Sequence, residues 1–182
     1  MKTQIADTFS ELLEKEDIDK ITVTQLIEKC QISRQTFYYH FHDIMDVLEW
    51  TFKRSPQILV QRSLESQDRI GALKEYLSFV RLHHRKLKRL VDSKKWFQIE
   101  GMMVDAVQAY LEKVAQGKIS ELGLSYEDVQ VMLRFYACGM VGVLFQHIDD
   151  RQLNEEQLPR QIERIILGKM FTRVLPSIHI SE

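Results

Sequence analysis

A chain of 182 residues, 45% hydrophobic and 28% charged, has the apolar mass for one core, or for a small domain joined to a larger one. Its two cysteines, Cys30 and Cys138, lie far apart and form no CxxC pair, which argues against a disulfide-built secreted fold and a structural zinc site. The formal net charge of −1 carries no overall signal for nucleic acid, and residues 1–54 hold seven Lys and Arg against ten Asp and Glu.

Seven glycines and three prolines leave long periodic stretches unbroken, so an all-α fold is expected. Ile5, Phe9, Leu12 and Leu13 form the apolar stripe of a first helix ending around Glu16 to Asp19. Its acidic, amphipathic opening does not read as a signal peptide. A short second helix is expected from about Thr22 to Cys30, with Val23, Leu26, Ile27 and Cys30 inward. Gln31-Ile32-Ser33 makes a tight break, and Ser33 is placed to cap a third helix, Arg34 to His40. Asp43 can cap a fourth, Ile44 to about Phe52. Ser55-Pro56 kinks or breaks the chain, and the boundary between a domain of residues 1–54 and one of residues 55–182 is placed there.

About five more helices follow. One spans Asp68 to Val91, and another Lys94 to about Gln116, closed by Gly117 as a left-handed cap. Ser125 with Asp128 starts a long helix to about Asp149, and Asn154 with Gln157 starts a last one ending at Pro176. Val131 to Ile148 approaches the length of a membrane span, but Arg134, Gln146 and His147 interrupt it. A buried helix in a cytoplasmic protein, with no membrane partner, is the expectation.

Chemistry concentrates between Ile21 and Leu48. In that block Glu28 is the only acid between Lys20 and His42, against Lys20, Lys29 and Arg34. Val23, Leu26, Ile27, Ile32, Phe37 and Phe41 can form the small core of two short helices packed at a steep angle. Arg34, Gln35, Thr36, Tyr38, Tyr39 and His40 are left for a DNA major groove and its phosphates.

The run Thr22-Val23, Leu26-Ile27, Ile32-Ser33 and Phe37-Tyr38-Tyr39-His40-Phe41 resembles the signature of TetR-family transcriptional regulators. The resemblance covers about the first 55 residues. It implies phosphate contacts from Thr22, Ser33, Tyr38 and His40, and base-edge or mixed contacts from Arg34, Gln35, Thr36 and Tyr39. The side chains suit those roles, since Arg matches guanine, Gln matches adenine and a Thr methyl matches thymine. Two positions depart from the family pattern. Gln31 replaces the turn glycine, and Ile44 replaces a phosphate-reaching lysine, which should flatten the salt dependence of binding.

The C-terminal half resembles a subclass of the same family in which a helix bearing F-Y-x-x-G-x-x-G precedes a shorter final helix, with His147 where a tryptophan is usual. Met132, Phe135, Tyr136, Gly139, Met140 and Val143, followed by Leu158, Ile162, Ile165, Ile166 and Met170, recur at helical spacing. Met132, Phe135, Gly139, Met140, Val143, Ile162, Ile165, Ile166 and Met170 are candidates for a homodimer interface built as a four-helix bundle. Their alternative is ordinary intrachain core. Tyr76, Trp96, Met103, Tyr110 and Tyr136, with Met102, are candidates for an effector pocket, with plain core again the alternative. Arg81 to Lys95 holds seven basic residues and one acid, either a solvated face or a second anion-binding patch.

The resemblance implies a dimeric repressor on a palindromic operator of double-stranded DNA, released or modulated by a small-molecule or protein effector. An activator of the same family controlled by a protein partner and a helical adaptor are the alternatives. No GxSxG, HExxH, P-loop or GxGxxG occurs, so no enzyme, cofactor or metal is expected. Metal sensing and redox sensing through Cys30 or Cys138 are minor alternatives, because both cysteines are expected to be buried and inert.

Overall fold

In a computed structural model, which describes residues 1–54, 56–66, 68–119, 123–146 and 156–166, every regular element is helical. The first four helices are α1 (Lys2–Leu13), α2 (Val23–Cys30), α3 (Arg34–His40) and α4 (Ile44–Arg54), with a single 3-10 turn at Ile18–Lys20. They enclose Ile5, Phe9, Leu26, Phe37, Phe41 and Leu48, each essentially without solvent contact. Burying one such side chain stabilises the fold by roughly 1.5–3 kcal/mol.

Local chemistry sets each boundary in this head. Thr22 Oγ1 accepts from the Gln25 amide at 3.2 Å while the Gln25 side chain accepts from the Thr22 amide at 2.7 Å, a reciprocal cap on α2. Gln31 then ends α2 in the left-handed region, at φ 55° and ψ 45°. Glycine would adopt this conformation freely; a residue with a Cβ pays about 1–2 kcal/mol. Ser33 caps α3 by accepting from the Thr36 amide at 3.0 Å, and Asp43 caps α4 by accepting from the Asp46 amide at 2.9 Å.

The remaining described helices are α5 (Pro56–Glu65), α6 (Arg69–Leu82), α7 (His84–Val91), α8 (Trp96–Ile119), α9 (Tyr126–Gln146) and α10 (Gln157–Ile166). They continue the same core, so that buried residues from Ile5 to Ile162 form one connected cluster. Several sequence expectations change here. The break at Ser55-Pro56 introduces a helix, because proline at a first helical position loses no hydrogen bond. The single helix expected from Asp68 to Val91 is two, divided at His83, whose backbone leaves helical geometry at φ −102° and ψ 13°. Gly117 does not end α8, which continues to Ile119.

Helix α9 corrects the expectation of a fully buried helix. It is long and apolar enough to cross a membrane by length and composition, yet only one face is covered. Val129, Leu133, Ala137, Met140, Val141 and Leu144 are buried, while Val131 is 71% and Phe135 65% exposed. The expected capping pair at Asn154 and Gln157 falls partly outside the described residues, as do His147, Met170 and the chain end at Pro176.

Candidate nucleic-acid interface and enclosed cavity

Helix α3 is only seven residues long, and its side chains divide sharply. Phe37 is fully buried and anchors the helix, meeting Phe41 at 6.1 Å between ring centroids. Arg34, Gln35, Tyr38 and Tyr39 project outward, Tyr39 with 84% of its surface free, and Thr36 and His40 are half-buried beside them. Exposed Thr22 and Ser33 flank this surface. All eight residues named from the sequence therefore reach one side of the head or its margin.

Within the group, polar atoms are already partly organised. The Ser33 and Thr36 hydroxyls lie 2.8 Å apart, and the Arg34 guanidinium reaches Thr24 Oγ1 at 3.5 Å. Thr24, exposed on α2, joins the candidate surface without having been named from the sequence, where it stands at an unspecified position of the motif. Ile44 is partly buried against the core and offers nothing to a phosphate.

The acidity of residues 1–54 also has a structural explanation. Lys86 of α7 bonds Glu14 at 3.1 Å and the Ser10 hydroxyl at 2.7 Å, and Arg89 bonds Asp17 at 3.1 Å. Asp19 accepts from the Ser93 hydroxyl at 2.8 Å and from the Lys94 amide at 2.9 Å. The Lys94 amide and the Ser93 hydroxyl hold the Asp19 carboxyl below its ordinary range, and Lys20 with Arg89 does the same for Asp17. Part of the basic run from Arg81 to Lys95 thus clasps the acidic end of α1 and the turn after it.

Behind this clasp lies a cavity of about 150 Å3, walled by residues from α1 and α4 through α9. It brings together Tyr76, Met103 and Tyr110 from the set proposed for an effector pocket. Trp96 and Tyr136 lie elsewhere: Trp96 meets Phe145 edge-on at 4.3 Å, and the Tyr136 hydroxyl donates to the Ile166 carbonyl at 3.3 Å. Met102 likewise falls outside the cavity wall. Phe9, Leu13, Leu48 and Phe52 line it although the sequence places them in the head. Their helical periodicity marked them as core, and no sequence signal distinguishes a core residue from one facing an internal space.

Of the residues expected at a dimer interface, Met140 and Ile162 are buried inside the subunit, which corrects their assignment to an outer face. Phe135 and Gly139 are exposed, Ile165 is 41% exposed, and Met132, Val143 and Ile166 are half-buried. A Cβ added at Gly139 or Gly142 would meet nothing within 4 Å. Cys30 is buried as expected, with its thiol 3.3 Å from the Thr8 hydroxyl; Cys138 is exposed on α9, contrary to expectation. Among the described residues no three His, Cys, Asp or Glu side chains cluster as a metal site.

A solved structure described as the dihydroxyacetone kinase operon activator DhaS is similar over 93% of this chain and 96% of that one, with a TM-score of 0.62 and 20% sequence identity. The two share a fold. No protein-family model matches the sequence, and no curated protein matches it. The all-α architecture, with a short helix presented at the N-terminal end, is thus one that occurs in a solved protein carrying that description.

Proposed function

We propose that this chain is a sequence-specific DNA-binding transcriptional regulator acting as a homodimer in the cytoplasm. The observation that carries the reading is the division of α3, in which Phe37 fixes the helix and Arg34, Gln35, Tyr38 and Tyr39 are presented together. Exposed aromatic residues among hydrogen-bonding side chains suit a groove whose floor carries donors and acceptors and whose walls carry phosphates. Thr22, Ser33, Thr36 and His40 complete the contact surface. Residues 1–54 serve as the reading head and residues 55–182 as the dimerisation and effector region.

The uncovered face of α9 is assigned to a second copy of the chain. Val131 and Phe135 lie on it with Gly139 and Gly142, where missing side chains would let another backbone approach closely. Each glycine costs the isolated helix roughly 1 kcal/mol relative to alanine, a cost offset if a partner packs there. Two heads related by a two-fold axis would read half-sites about one helical turn, ~34 Å, apart or a multiple of it. An effector would act by preferring one spacing of the heads, and only through its difference in affinity for the two arrangements.

A repressor is the primary reading. The fold shared with a protein described as an operon activator favours, as the second reading, an activator controlled by a protein partner. Phe135→Glu tests the dimer on which both depend. Sedimentation equilibrium of the full chain should give a dimer for the native protein and a monomer for the variant, with duplex binding weakened in parallel. A native monomer that binds duplex as tightly as the variant does would refute the assembly.

A further inference from the structure

The enclosed cavity is selective by its chemistry. At about 150 Å3 it has the size of an apolar protein cavity that admits one benzene-sized molecule. The rings of Tyr76 and Tyr110 stack at 6.0 Å and 27° to form one aromatic wall, and Phe9, Phe52 and Phe79 contribute further rings. No carboxylate side chain is among the described residues that line it, and its one lysine, Lys86, is engaged by Glu14 and Ser10.

One polar atom in this space is unsatisfied. Among the described residues, the Tyr76 hydroxyl is the buried side-chain polar atom without a hydrogen-bond partner, in a residue only 5% exposed. The neighbouring hydroxyls are occupied: Tyr110 pairs with Ser63 at 2.8 Å, and Thr51 donates to the Val47 carbonyl at 2.7 Å. A water molecule there would lack the two to four polar partners that buried water requires. Burial drives the Tyr76 hydroxyl far above its ordinary range, so it stays protonated and able to donate. Burial, with Lys86 nearby, pushes the His83 imidazole down, so that it is neutral at neutral pH.

We infer that this cavity binds a small neutral organic molecule, about one ring in size, whose single oxygen accepts a hydrogen bond from Tyr76. A wider, more polar vestibule of about 860 Å3 shares Ser10, Thr51, Leu59, Phe79 and His83 with the cavity and supplies a route in from the surface. A bound ring touches α1 and α4 on one side and α6 to α9 on the other, so it bears on how the reading head sits against the rest of the chain. The inference takes its regulatory meaning from the proposed DNA-binding function, although the binding event itself does not require that reading.

The test titrates the full-length chain with phenol, toluene and benzoate, following methionine methyl signals by NMR and affinity by calorimetry. Met103 lines the cavity and reports occupancy, its signal being assigned through Met103→Leu. Phenol and toluene should each shift the Met103 signal saturably, and benzoate should not. Tyr76→Phe should weaken phenol roughly 3–10-fold, the worth of one hydrogen bond, and leave toluene unchanged or tighter. Val107→Trp or, should that variant not fold, Ala106→Leu should abolish both by filling the space. Absence of saturable binding by either neutral probe, equal binding of benzoate, or a Tyr76→Phe effect that is nil or the same for phenol and toluene overturns the inference. No DNA is present, so failure here leaves the DNA-binding reading intact. Conversely, a chain that binds phenol but no duplex overturns that reading alone.

Discussion

Two surfaces of this protein leave apolar side chains in solvent, and they do so in different ways. On α3 the exposed rings of Tyr38 and Tyr39 carry hydroxyls and stand among Arg34, Gln35 and the Ser33–Thr36 pair. On α9 the exposed Val131 and Phe135 share their face with Gly139 and Gly142 and bring no hydrogen-bonding groups of their own. A polar polymer can satisfy the first surface, whereas the second is stabilised only by removing it from water. The contrast separates a reading surface from an assembly surface without any knowledge of the partner.

The sharpest way to break the comparison is inside α3 itself. Phe37→Ala should cost about 3–5 kcal/mol of stability in urea unfolding, because a fully buried ring is lost from the head core. Tyr39→Ala, four-fifths exposed, should stay within about 0.5 kcal/mol in the same experiment while weakening duplex binding. Equal destabilisation by the two would mean that Tyr39 is structural. Next in size, Arg34→Ala should cost about 1–3 kcal/mol of specific binding if the guanidinium reads a base. An equal loss on random duplex, measured by fluorescence anisotropy at one salt concentration, would reduce Arg34 to a phosphate contact.

Gln31→Gly sharpens the contrast from the other direction. Relief of the left-handed backbone at φ 55° should raise stability by about 1 kcal/mol. If duplex affinity falls although stability rises, the Gln31 side chain belongs to the contact surface. The smallest effect belongs to the clasp between α7 and the acidic turn. Asp17 and Asp19 have lowered folded pKa values, so their contribution is complete above the ordinary carboxylate value of 3.8 and is lost as pH falls through the lower folded values. Unfolding midpoints followed from pH 5 down to pH 2 should therefore fall less for Asp19→Asn than for the native chain. Both carboxylates are largely solvated, which keeps the difference small.

The head was legible in the sequence because its determinants are local. Thr22, Ser33 and Asp43 each act within three residues, and the Phe37-to-Phe41 spacing fixes which side of α3 faces inward. The cavity was only partly legible, since its wall takes side chains from eight helices and no periodicity records where an internal space remains. The clasp was missed for a related reason. Lys86, Arg89 and Lys94 form a basic run with no partner nearby in sequence, and their acids lie some 70 residues earlier. The misplacement of Met140 came from one helix having two apolar faces, which leaves the inward side undetermined by pattern alone.

The most direct test of sequence-specific binding is selection of bound duplexes from a random pool by the full chain at near-physiological salt. Enrichment of an inverted repeat with half-sites one or more helical turns apart is the expected result, and it would supply the duplex for the Arg34 and Tyr39 experiments. Recovery of no preferred sequence, with only weak binding that disappears as salt is raised, would contradict the assignment of α3 as a reading helix.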